Sequence, residues 1–202
     1  MEINLIKEVY YMCDNFSVDS SLPTAYIKIK EYLTKELKSI VNNRPIIILC
    51  IGTDRSTGDS LGPIVGYKLK HLSVDNIYIY GTLENPVHAK NLSNILEKIS
   101  CYFSNPYIIA IDSCLGSLTN IGKIFIKKGP LHPGLALNKD LPPIGEMNIT
   151  GIVNISGSFE FLVLQNTRLY TVMNLADSIS RGIYHFALDN KDTTSDNIIS
   201  LH

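Results

Sequence analysis

Two aspartates occupy positions from which acid–base chemistry is readily built. Asp59 opens a helix that follows the apolar run Pro45-Ile46-Ile47-Ile48-Leu49-Cys50-Ile51-Gly52, and Asp112 closes a second such run, Tyr107-Ile108-Ile109-Ala110-Ile111. Two carboxylates held close together cannot both ionise cheaply, so one pKa rises and the other falls. Such a pair can polarise water for attack on a peptide carbonyl, one carboxyl acting as base and the other as acid. It can also hold a divalent metal that makes the nucleophile. His88, in Gly81-Thr82-Leu83-Glu84-Asn85-Pro86-Val87-His88, is the third candidate. With Asp59 and Asp112 it supplies hard and borderline donors suited to zinc or nickel, although no short-spacing metal motif is present. Asp54 and Arg55 precede Asp59 in the same loop and are candidates for accessory or substrate-binding roles.

Each of these residues also has a plainer reading. Asp59 alone is a good helix N-cap. Asp112 alone can cap the turn after a strand, Asp54 can shape the loop, and Arg55 can be solvated or pair with a carboxylate. His88 can be a surface or capping histidine. His132 sits in a proline-rich loop that only folding could bring near the others. Cys114, two residues beyond Asp112, could form a nucleophilic pair with His88, but small buried thiols are common. The loop glycines form neither a Walker sequence nor GxGxxG, and there is no serine-elbow motif.

What must position these groups is a set of alternating strands and helices. Apolar residues at Tyr26, Ile29, Leu33, Leu37 and Ile40 predict a helix over 24–41. The run after Pro45 lacks polar alternation, as a strand buried on both faces does. A helix then starts near Asp59 or Ser60, either of which can cap it. Pro63 suits its first turn, and Gly62 and Gly66 let it lie close on a sheet. Strands are expected over 76–80, 107–111, 122–127 and 149–155, with helices over 88–100 and 158–186. This alternation predicts right-handed crossovers and a mainly parallel sheet covered on both faces. Ligands of such sheets sit beyond the carboxyl ends of the strands, where strand order reverses. If the strands before Asp59 and Asp112 are neighbours, the two carboxylates converge there.

Composition bounds the rest. The 202 residues suit one α/β domain, with a helical extension over about 1–44 and a short polar tail over about 189–202. With 45% hydrophobic and 18% charged residues the chain is not disordered as a whole. A net charge of −1 gives no electrostatic reason to hold nucleic acid or an anionic membrane. Cys13, Cys50, Cys101 and Cys114 make no CxxC pair, which fits reduced thiols in a cytoplasm. The opening Met1-Glu2-Ile3-Asn4, acidic and interrupted, does not read as a signal peptide, and the apolar run over 46–51 is far too short to span a bilayer.

The loop Cys50-Ile51-Gly52-Thr53-Asp54-Arg55-Ser56-Thr57-Gly58-Asp59-Ser60-Leu61-Gly62-Pro63 resembles the signature of the YyaC-type sporulation proteins. Gly81 to Ala89, Ala110-Ile111-Asp112-Ser113-Cys114-Leu115-Gly116, Leu141-Pro142-Pro143-Ile144-Gly145, Thr150-Gly151-Ile152-Val153-Asn154 and Leu164 to Leu169 extend the resemblance, which runs from about Pro45 to Ile183. That family is similar to the germination protease of spores and, more distantly, to the hydrogenase-maturation endopeptidases. The resemblance implies a phosphorylase/hydrolase-like three-layer αβα sandwich with a mainly parallel twisted sheet, and an atypical aspartic-type peptidase. The aspartate of the germination protease in Pro-Asp-Ala-Leu-Gly-Pro matches Asp59 in Gly58-Asp59-Ser60-Leu61-Gly62-Pro63. Its aspartate in Val-Asp-Ala matches Asp112. The maturation enzymes carry acidic metal ligands at the corresponding places. The expectation is a sporulation-associated endopeptidase in the cytoplasm of the sporulating cell or spore. Its partner is a protein or peptide substrate, with neither nucleic acid nor membrane. No cofactor is required, zinc or nickel being the metal option, and a homo-oligomer stays open. The alternatives are a non-catalytic peptide-binding sporulation protein and a metal-dependent peptidase of the hydrogenase-maturation type.

Overall fold

The structure is a computed structural model that describes residues 16–133 and 143–196, with side chains to residue 190. Its centre is the apolar run after Pro45. Ile46–Cys50 forms strand β2, and all five of its residues are buried, as a strand inside a sheet covered on both faces must be. Around it lie β1 (Phe16–Asp19), β3 (Ile77–Tyr80), β4 (Tyr107–Gly116), β5 (Lys123–Lys128) and β6 (Met147–Ile155), in the order β1-β5-β6-β4-β2-β3. β3, β2, β4 and β6 run parallel, while β5 is antiparallel to both β6 and β1. The sheet is therefore mostly parallel. β5 reverses because residues 117–122 are too few for a crossover, which takes a dozen or more.

Helices cover the two faces unequally. α1 (Ala25–Leu37), α2 (Leu61–Leu69) and α5 (Leu169–Asp196) pack on one face, where Ile46, Ile48, Cys50, Ile109 and Ile111 meet Leu33, Leu61, Val65, Val172 and Ile179. The other face carries α3 (Leu92–Tyr102), whose Leu92 and Ile99 meet Ile47, Leu49 and Ala110. Leu131 and Ile144, joined by an isolated bridge, complete that cluster. α2 lies on the sheet at backbone distance. A Cβ on Gly62 would stand 2.1 Å from the Ile51 carbonyl oxygen, and one on Gly66 would stand 1.8 Å from that of Gly81.

Several elements differ from the sequence-based expectations. The segment expected as a helical extension contributes a strand, because β1 pairs with β5 along the sheet edge; residues 1–15 lie outside the described residues. β4 runs on to Gly116, so Asp112 lies within the strand instead of at its end. The helix expected from His88 starts at Leu92. Asn91 intervenes: its Oδ1 accepts from the His88 N–H at 2.8 Å, and its Nδ2 donates to the Pro86 carbonyl at 3.0 Å. The helix expected over 158–186 is two helices, α4 (Glu160–Gln165) and α5. Asn166 Nδ2 and Thr167 Oγ1 donate back to the carbonyls of Leu162 and Val163, both at 2.8 Å, which ends α4. The expected polar tail is helical as far as Asp196. Neither expected cap forms. Asp59 falls in the 3-10 turn Thr57–Asp59, and Ser60, at the N-cap of α2, donates its hydroxyl to the Thr57 carbonyl at 2.7 Å.

Candidate active site

The two aspartates are brought together by strand order. The chain leaves β2 towards β3 on one side, and leaves β4 towards β5 and β6 on the other. The carboxyl ends of β2 and β4 therefore flank the point where the order reverses, and a crevice opens there. Cys50 is in register with Ile111, and the Ile51 N–H donates to the Ile111 carbonyl at 2.7 Å. Beyond that level β4 keeps β6 as its partner but loses β2. Alternation along β4 puts Ile108, Ala110 and Asp112 on the face that carries α3. Asp112 is the first residue of that row to reach past the end of β2.

Asp59 reaches the same place through a loop that folds back on β2. Gly52 has φ +140°, a conformation that side-chain-bearing residues rarely adopt, and its N–H donates to the Val87 carbonyl at 2.8 Å. The Thr53 N–H donates to the Asp59 carbonyl at 3.0 Å, which closes the loop. α4 presses on the loop from outside. A Cβ on Gly58 would stand 2.8 Å from Leu164 Cδ2 and 2.9 Å from Leu164 Cα.

The result is a cleft of about 410 Å³ with Asp59 and Asp112 in its wall. His88 and Arg55 also line it, and α4 supplies an apolar side through Phe161 and Leu164. Asp112 keeps some accessible surface, yet protein crowds its carboxyl group on nearly every side. Burial therefore lifts its pKa well above the ordinary carboxyl value, and the neighbouring charge of Asp59 lifts it further. The Ser113 N–H, which donates to Asp112 Oδ1 at 2.7 Å, opposes the shift and is outweighed. The arrangement has the parts of an acid–base pair: a carboxyl group whose burial favours its protonated form, beside one whose charge favours that form further.

Of the residues singled out in the sequence, Asp59, Asp112, His88 and Arg55 share the cleft. Asp54 does not; it is exposed and absent from the cleft wall. His132 is also exposed and outside the wall, although Pro133 beside it takes part. The Cys114 Sγ donates to the Leu115 carbonyl at 3.3 Å. Although Cys114 keeps exposed surface, protein crowds its thiol, and that burial together with the Asp112 charge pushes its pKa up. A thiolate is disfavoured there, so the position suits a nucleophile poorly. Among the described residues no group of three or more His, Cys, Asp or Glu side chains is placed to hold a metal ion. Asp59, Asp112 and His88 line the cleft together without forming such a group. Sequence reasoning missed Ser56, Lys90 and the α4 wall. Ser56 lay inside the loop already under scrutiny, but nothing in residue type separates a buried loop serine from a solvated one.

Comparison with known proteins places this architecture first by fold. The crystal structure of a [NiFe] hydrogenase maturation protease, HycI from Thermococcus kodakarensis KOD1, superposes with a TM-score of 0.52. It covers 76% of this chain and 99% of its own at 15% identity, a likeness of fold alone. The chain itself belongs to the family described as "Protein of unknown function (DUF1256)", whose model matches residues 16–182. The protein YyaC of Bacillus subtilis (strain 168) is 44% identical over 170 residues, which span 77% of this chain and 83% of that one. Among the described residues no helix is long and apolar enough to cross a membrane.

Proposed function

We propose that this chain hydrolyses peptide bonds with Asp59 as general base and Asp112 as general acid. The observation that carries this reading is the pairing at the cleft: a crowded Asp112 whose proton is held both by burial and by the charge of Asp59. In the reaction Asp59 takes a proton from water as the water oxygen bonds to the scissile carbonyl carbon. Asp112 gives its proton to the departing nitrogen as the C–N bond breaks. Asp59 then releases its proton to solvent and Asp112 takes one up, and the pair returns to its starting state. A positioned acid and a positioned base of this kind each contribute roughly 10²–10⁴-fold in rate. The protease-like fold and the apolar α4 wall support a peptide occupant. The setting, a sporulating cell or spore, is part of the same proposal and rests on the motif resemblance.

The test is turnover of a quenched-fluorescent peptide library by the purified chain. Asp59→Asn and Asp112→Asn should each lower the rate on the selected peptide by at least a hundredfold. Either variant turning over at the parent rate would contradict the assignment. A transcript and protein level that rises when cells enter sporulation would agree with the setting, and constant expression in growing cells would oppose it.

A further inference from the structure

The cleft that holds the two aspartates also holds two cations that the proposed chemistry does not use. Arg55 and Lys90 line its wall. Both are exposed, and neither makes an ion pair with a described residue. Neither enters the balance at Asp112, which burial, the Asp59 charge and the Ser113 N–H decide. A counter-ion of Asp112 would oppose the rise in its pKa, so these two are not held for that carboxyl group. With Asp112 favouring its protonated form, the wall carries the negative charge of Asp59 against the positive charges of Arg55 and Lys90. The cleft is therefore positive on a chain whose net charge is −1. A cleft concentrates such a potential and draws in anions.

Strand order spreads these groups along the cleft. Successive amides of an extended chain point to opposite sides. At the end of β2 the Ile51 N–H donates to the Ile111 carbonyl on β4 at 2.7 Å, and the Gly52 N–H donates to the Val87 carbonyl at 2.8 Å. Residues 87–90 thus flank β2 on the side away from β4. α4 is tied to the other side. Asn154, near the end of β6, donates through Nδ2 to the Val163 carbonyl at 3.4 Å and to Thr167 Oγ1 at 3.2 Å. β6 lies beyond β4. The sequence of parts across the strand ends is the segment with Lys90, the loop with Arg55 and Asp59, then Asp112, then α4. On α4, Phe161 lines the cleft and is 56% exposed, a large apolar surface left for a ligand to cover.

An extended peptide across these strand ends meets cations towards one end and an apolar wall towards the other, with the carboxyl pair between. Neighbouring strands stand about 4.8 Å apart, so the three steps from residues 87–90 to β6 span about 14 Å, or about four residues of extended chain. We propose that the cleft selects peptides in which a carboxylate and a large apolar side chain stand about three or four residues apart, the carboxylate meeting Arg55 and Lys90 and the apolar side chain meeting Phe161. This selection rests on the peptide-hydrolase reading for its ligand class, but binding needs no turnover. An acidic side chain and the free end of a chain offer the same carboxylate, and charge-assisted hydrogen bonds to guanidinium and ammonium serve either source.

The experiment measures binding of synthetic octapeptides to the full-length Asp112→Asn variant by calorimetry, and cleavage of the same peptides by the parent. One peptide, blocked at both ends, carries a leucine and a glutamate four residues apart. Others replace the glutamate with glutamine or lysine, or the leucine with serine. A further peptide ends in a free carboxylate at the place of the glutamate. The glutamate peptide should bind roughly tenfold more tightly than the glutamine peptide, and the lysine peptide should bind most weakly. Arg55→Glu with Lys90→Glu should invert the order of glutamate and lysine peptides. Raising the salt from about 50 mM to about 500 mM should narrow the parent order. Phe161→Ala should weaken the leucine peptide and leave the serine peptide unchanged. All three side chains are exposed, and melting curves should confirm that the variants fold. Tight binding of the free-ended peptide assigns the carboxylate to a chain end, and tight binding of the blocked glutamate peptide alone assigns it to an acidic side chain. Equal affinity for glutamate, glutamine and lysine peptides overturns the inference, as does an order that survives the double reversal, or no binding at all. If the expected order holds but the parent cleaves none of the peptides, the catalytic reading falls and this one stays. If the parent cleaves glutamate and lysine peptides with equal kcat/KM while Asp59→Asn is inactive, this inference falls and the catalytic reading stays.

Discussion

The two faces of the sheet treat the same strand in opposite ways. On the face covered by α1, α2 and α5, β4 presents Ile109 and Ile111, neither with any exposed surface. On the face that carries α3, the alternate residues are Ile108, Ala110 and Asp112. α3 reaches Ala110, which is fully buried, but past the end of β2 the next residue of the row is a carboxyl group in the wall of a cleft. Three packed helices leave no room for a polar side chain on the first face. One helix on the second leaves a corner where a carboxyl can be crowded and still meet a ligand. The difference in covering matches the difference in residue type: Ile111 is core, and its neighbour Asp112 is a candidate catalytic group.

Moving the carboxyl by one residue should break this comparison most severely. Ile111→Asp would put an unpaired charge into the core, at a cost above about 5 kcal/mol, as much as the whole stability of many domains. Expression with a circular dichroism melt should show no cooperative fold, and a folded variant would mean that the first face is looser than described. Gly62→Ala comes next. Its Cβ would meet backbone atoms of Ile51 at 2.1 and 2.7 Å, so α2 must shift, at about 3 kcal/mol in urea unfolding. Away from both faces, Arg44 donates to the carbonyls of Asn105 at 2.9 Å and Pro106 at 3.1 Å and pairs with Glu146. Arg44→Ala should cost about 1–2 kcal/mol in the same assay. Lys68 and Asp177, 2.6 Å apart and well exposed, mark the low end. Lys68→Ala should stay within about 0.5 kcal/mol of the parent.

Asp112→Asn sharpens the comparison through pH. A carboxyl whose pKa is raised in the folded state binds its proton more tightly there than in the unfolded chain. Its contribution is fully present below the ordinary value of 3.8 and is lost as pH rises through the folded value. The parent should therefore lose stability relative to Asp112→Asn as pH increases above about 4, and the two should converge in acid. Melting temperatures across that range check the sign, and a gap that narrows with rising pH would contradict it.

Much of the site was legible because its parts are strong local signals. The β-branched run of β2, the glycines of α2 and the two aspartates after apolar runs all point to a parallel sheet with a crevice at its carboxyl edge, and strand order confirms that β2 and β4 are neighbours. What was not legible depends on partners distant in sequence. Phe16–Asp19 is too short to announce a strand, and it exists as one only through β5. The break between α4 and α5 is set by Thr167, whose hydroxyl accepts from Asn154 Nδ2 at 3.2 Å, a contact from the end of β6. Leu162 kept the helical spacing of the expected long helix yet is 52% exposed, since α4 turns that side to solvent.

The proposed chemistry requires Asp59 and Asp112 to act on one another across the cleft. Titrating the Asp112 carboxyl carbon by nuclear magnetic resonance, in the parent and in Asp59→Asn, measures that interaction itself. The midpoint should lie well above 3.8 in the parent and move down when the charge at position 59 is removed. A midpoint in the ordinary carboxyl range, or one indifferent to Asp59, would contradict it.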